Sequence, residues 1–158
     1  MTQEQILTEL QRIRRRLGTM PMRLHSFEFG DGSVAGAAKT LAPKASDTFG
    51  EIRDARFGGL VLFATVASSS KNLEQVFILD DTVRHTSSLA ALVDGTFTVG
   101  HSPGIVVMQT SPAYVAATSF GDTTGLPFNR SIRFVITNTG TASAILLRVV
   151  LRCYEHLT

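Results

Sequence analysis

The side chains in this sequence best suited to chemistry are four histidines, one cysteine and a pair of adjacent aspartates, and their spacing decides what they can do. His25, His85, His101 and His156 fall in separate segments, with neither the HxH nor the HExxH spacing that aims two imidazoles at one metal ion. Asp80-Asp81 closes an apolar run just before Thr82. Paired carboxylates there can attract calcium, but the oxygen-rich repeat of a calcium loop is missing and a turn accounts for them better. Cys153 sits in an alternating apolar stretch, where a buried inert thiol is expected, and one cysteine makes neither a disulfide framework nor a cysteine zinc site. No GxSxG, GxxxxGKS/T or GxGxxG occurs, so nucleophile-elbow, P-loop and dinucleotide chemistry lose their usual support. The expectation is a protein that is not an enzyme, with no catalytic residue, no metal ligand and no cofactor.

The residues that point to contacts lie at the N-terminus. Thr2 followed by Gln5 matches a capping box, Gly18 is a natural stop, and Gln, Glu, Leu and Arg between them favour a helix. Ile6, Leu10, Ile13 and Leu17 are spaced four, three and four, which is heptad spacing, and Met20 continues it. With Ile6 and Ile13 at d and Leu10 and Leu17 at a, parallel assembly would favour more than two strands, a trimer over a dimer. An isolated helix this short is marginal in water, so its stripe packs either on the chain's own body or on a second copy. Arg12, Arg14, Arg15 and Arg16 follow on the polar side as a contact for an anionic partner. Residues 1 to 25 hold five arginines against two glutamates while the remaining body sums to −1, so nucleic acid would be reached only through these arginines.

The elements that must carry these residues come from one domain's length of chain. At 158 residues with 44% apolar content, the chain buries a core without staples. Its 18% charged content is low for a self-sufficient exterior. No apolar stretch is long enough to span a bilayer, and residues 1 to 18 lack the apolar region of a secretory signal. After Met20-Pro21, strands are expected at 22–29, 60–67, 73–79, 96–99, 104–109, 113–120, 131–138 and 144–154, with one helical turn at 87–93 and a long loop or arm at 30–56. Asn138-Thr139-Gly140-Thr141 reads as a turn with Asn and Gly free to take positive φ. In the last strand Ile145, Leu147, Val149, Leu151 and Cys153 share the apolar face. The other face carries Leu146, Arg148, Val150, Arg152 and Tyr154, with arginine stems covering apolar area. The fold expected is mainly β, an antiparallel, jelly-roll-like β-sandwich of about eight strands over residues 21–158, preceded by an α-helix within residues 1–20.

A short N-terminal helix, an arm and a charge-poor β-domain rich in Ser, Thr, Ala and Gly resemble the small structural proteins of bacteriophage and related icosahedral virions: single jelly-roll capsid proteins, decoration proteins and fibre-base domains. The resemblance implies that the helix ties subunits together, here through Ile6, Leu10, Ile13 and Leu17, while the β-domain forms shell or protrusion with Ala144 to Tyr154 as a central strand. It implies a homo-oligomer that also contacts other virion proteins, is assembled in a host cytoplasm and resides in the virion. The alternative is a ligand- or glycan-binding β-sandwich, such as a receptor-binding tip.

Overall fold

Alternation of apolar and polar residues sets most strands, and their pairing gives two antiparallel sheets in the computed structural model, which describes residues 2–18, 21–89, 104–110, 113–119 and 125–158. In chain order the elements are α1 (Gln3–Gly18), β1 (Met22–Phe29), β2 (Lys39–Leu41), β3 (Ser46–Ile52), β4 (Gly59–Ser68), β5 (Leu73–Leu79), β6 (Val83–Ser88), β7 (Gly104–Thr110), β8 (Ala113–Ser119), β9 (Leu126–Phe128), β10 (Ile132–Asn138) and β11 (Ala144–His156). The larger sheet runs β1-β11-β4-β8-β7, with β2 also on β11 and β9 also on β4; the smaller runs β3-β10-β5-β6. The fold is mainly β behind one N-terminal helix, as expected, and β11 is a central strand of its sheet.

The pairing is nested. β1 pairs with β11, β3 with β10, β4 with β8 and β5 with β6, and successive pairs alternate between the two sheets. β11 against β4 and β10 against β5 then stitch the pairs into sheets. Inward side chains of both sheets form one apolar cluster: Leu73, Phe77, Ile132, Phe134 and Ile136 from the smaller, Val61, Val66, Leu146, Leu151 and Cys153 from the larger. Phe77 and Phe134 stack at its centre with ring centroids 4.7 Å apart. Each such side chain contributes about 1.5–3 kcal/mol by leaving water, so this sandwich-like layer is what holds the fold together. Inside it Gln75 of β5 donates through Nε2 to the Thr118 hydroxyl of β8, linking the sheets, while its buried Oε1 has no hydrogen-bond partner among the described residues. At one edge Lys39 of β2 pairs with Asp47 of β3, again across the two sheets, and the lysine holds the Asp47 carboxyl below its ordinary range.

Four local expectations are corrected. The segment 30–56 is not all loop or arm, because β2 and the seven-residue β3 lie in it; Phe49 and Ile52 are its apolar anchors, interrupted by polar residues that hid the pattern. The helical turn expected at 87–93 begins inside a strand, since Ser87 and Ser88 end β6, whose polar sequence VRHTSS gave no alternating signal; residues 90–93 and the strand expected at 96–99 lie outside the described residues. Neither Asn138 nor Gly140 takes positive φ. Instead Asn138 is buried, its Nδ2 donates to the carbonyls of Leu41, Ala42 and Ala142, and its Oδ1 accepts from Gly140 N at 2.9 Å. The turn is a corner between sheets, because β10 and β11 belong to different ones.

The fourth correction concerns the faces of β11. A bulge between Leu146 and Arg148 inserts Leu147 opposite a single step of β4, so the inward set is Ala144 and Leu146 before it and Val149, Leu151 and Cys153 after it. One inserted residue moves every later side chain to the opposite parity, which an unbroken period of two cannot anticipate.

Candidate assembly surfaces

The capping box at the start of α1 is formed: Thr2 N donates to Gln5 Oε1 at 2.9 Å and Gln5 N to Thr2 Oγ1 at 3.3 Å. Glu4 in the first turn adds negative charge where the helix dipole is positive. The apolar stripe so positioned is open. Ile6, Leu10 and Ile13 are 44%, 56% and 50% exposed, so the chain's own body does not cover them. Leu7, 57% exposed, widens the stripe; it occupies an e position beside the a/d seam and was missed because a strict seam counts only a and d. Arg12 lies 3.7 Å from Glu9, both well exposed, a pair that contributes at most a few tenths of a kcal/mol. The side chains of Arg14, Arg15, Arg16 and Leu17 lie outside the described part of the helix.

A second surface is the outer face of the larger sheet, where register aligns Leu24 with Tyr154 and Leu60, Ser26 with Arg152 and Phe63, and Glu28 with Val150 and Thr65. The Arg152 guanidinium lies 5.2 Å from the centre of the Phe63 ring and 3.4 Å from Glu28, which Arg148 also approaches at 3.9 Å. The Arg152 guanidinium therefore covers part of the apolar Phe63 ring, while Arg148 lies beside Glu28. At the β1 edge Leu24 stays 52% exposed.

A third feature is a groove of about 330 Å³ at one end of the smaller sheet, lined by Glu51, Arg53, Asp54, Asp81, Arg130, Ser131, Ile132 and Arg133. Arg53 pairs with Glu51 at 2.6 Å and Arg130 with Asp54 at 3.1 Å, so much of its charge is internally matched. Below it, the turn read from Asp80-Asp81 is present: both residues have positive φ and Thr82 N donates to Leu79 O at 3.1 Å. Asp80 does more than turn the chain. Its carboxylate accepts the backbone N–H groups of Asn129, Arg130 and Ser131 at 2.7 to 3.1 Å, pinning the approach to β10 onto the β5–β6 hairpin. Desolvation pushes its pKa up, and the three amides outweigh that and hold it below the ordinary 3.8.

The remaining residues singled out in the sequence are dispersed. His25 Nε2 meets Glu155 Oε2 at 2.7 Å with Phe27 stacked beside it, His85 is on β6, and His156 ends β11. His101 lies outside the described residues. Cys153 is buried in the core, and desolvation pushes its thiol up to about 12. Among the described residues no three His, Cys, Asp or Glu side chains gather where they could share a metal ion, and no helix is long and apolar enough to cross a membrane. The chain matches no protein-family model and no curated protein sequence.

Proposed function

We propose that this protein is a non-enzymatic structural subunit of a virion, a capsid, decoration or spike and fibre component, whose work is the contacts it makes with copies of itself and with other virion proteins. One observation carries the reading: Ile6, Leu10 and Ile13 of the heptad stripe of α1, a helix that in water needs a partner, are left half-exposed at the entrance to the β-domain. The nested order supports it. First strand with last, and each inner pair in the opposite sheet, is a long antiparallel ribbon rolled on itself, the arrangement of a jelly roll, an architecture that viral shells use. Assembly in a host cytoplasm and residence in the particle follow from that role, and Arg12, Arg14, Arg15 and Arg16 are the residues through which α1 would touch nucleic acid.

Sedimentation of the full chain at tens of micromolar tests the assembly: oligomers are expected, and a monomer overturns the reading. A stoichiometric band for the chain in a purified particle separates a virion component from any other self-associating protein. The groove beside β10 favours a second reading, a ligand- or glycan-binding module such as a receptor-binding tip. Glycan-array signal that is kept when Ile6 and Leu10 are changed to Asp and lost with Arg133→Ala would decide for it.

A further inference from the structure

We infer that α1 docks antiparallel on α1 of a second copy. The inference rests on the assembly reading above and adds the geometry and the residues that set it. Charge on this helix is segregated along its length: Glu4 and Glu9 lie in its first half, and Arg12, Arg14, Arg15 and Arg16 crowd into five positions of its second. Parallel neighbours would bring those arginine blocks side by side at one end, within a screening length of about 8 Å. Antiparallel neighbours set each acidic half against a basic half and also oppose the two helix dipoles favourably.

The apolar positions fit the same arrangement. With Ile6 and Ile13 at d and Leu10 and Leu17 at a, antiparallel superposition opposes Ile6 with Leu17 and Leu10 with Ile13, giving four mixed layers along a helix about 24 Å long. Glu9 and Arg16 both fall at g, and g faces g between antiparallel helices, so each Glu9 meets an Arg16. Parallel helices pair g with the following e, and Glu9 would meet Arg14 instead. The preference of this a/d pattern for more than two strands belongs to parallel bundles and does not bear on an antiparallel pair.

Charge exchange on the full chain separates the two. Glu9→Arg alone should raise the dissociation constant of self-association roughly tenfold, two exposed ion pairs being reversed. Adding Arg16→Glu should restore it, whereas adding Arg14→Glu should not. Disulfide trapping gives an independent reading, since the native thiol is buried: a mixture of Ile6→Cys and Leu17→Cys chains should cross-link between the two variants, and Ile6→Cys alone should not. Rescue by Arg14→Glu, or self-cross-linking through Ile6→Cys, overturns the antiparallel pair and leaves self-assembly standing. No response to Glu9→Arg, or no rescue by Arg16→Glu, overturns it as well. A wild-type chain that remains monomeric overturns both the pair and the assembly reading.

Discussion

Asp80 illustrates how much one turn carboxylate can organise. Its position after an apolar run identifies it as a turn residue, and short side chains of this kind tolerate the left-handed backbone found there, φ 52°. Its three amide partners come from residues about fifty positions later, so no local pattern announces them. The folded carboxyl binds its proton less tightly than the unfolded one. The stability it adds is therefore complete above about pH 4 and is lost as pH falls through the lowered folded value. The Asp80→Asn variant should be less stable by about 1–2 kcal/mol at neutral pH, and its melting temperature should fall less steeply than the wild type's below about pH 4. Parallel curves would show that the amides do not hold the carboxylate. Cys153, by contrast, was legible from alternation alone, because it falls beyond the bulge of β11 where the odd-numbered face points inward.

At the scale of elements, bulges separate what periodicity can predict from what it cannot. β1 and β5 have the bounds expected of them, since each keeps one uninterrupted register. β3 does not: its pairing with β10 shifts between Arg133 and Val135, so Phe49 and Gly50 together oppose one residue. Gly50 takes φ 96° there, and a Cβ on it would lie 2.8 Å from Leu151 Cδ2 and 3.0 Å from the Phe27 ring. Gly50→Ala should cost at least about 2 kcal/mol, combining left-handed backbone with overpacking of the core. Chemical denaturation measures it, and a loss below about 0.5 kcal/mol would mean that the bulge relaxes freely. β6 escaped notice for another reason. A polar strand is held by its neighbour's backbone, and VRHTSS shows its character only once β5 is beside it.

At the scale of the molecule, stability and assembly are carried by different surfaces. The core lies between the two sheets, while Ile6, Leu10 and Ile13 of the α1 stripe stay open to solvent. Leu10→Asp should therefore leave the thermal transition of the β-domain within about 0.5 kcal/mol of the wild type, as surface changes generally do, while weakening self-association measured by sedimentation. Unfolding of the β-domain at lower temperature would place the stripe against the body instead. The low charge content of the chain fits this division. The described outer face of the larger sheet carries Glu28, Arg148 and Arg152 among apolar and small residues, and the Arg152 guanidinium lies over the Phe63 ring of that face.

By itself the sequence determined α1, from its capping box and heptad spacing, the strands whose alternation is unbroken, and the burial of Cys153, because these depend on neighbours within a few residues. Tertiary structure decided the rest. Which strand lies beside which, first with last and β10 apart from β11, depends on closing loops of up to more than a hundred residues against one shared core, and no local pattern encodes that closure. The face presented by β11 up to Leu147 and the recruitment of Asp80 by distant amides follow from that pairing. So does the exposure of Ile6, Leu10 and Ile13, since a stripe is seen to be uncovered only when the body that might have covered it has closed on itself.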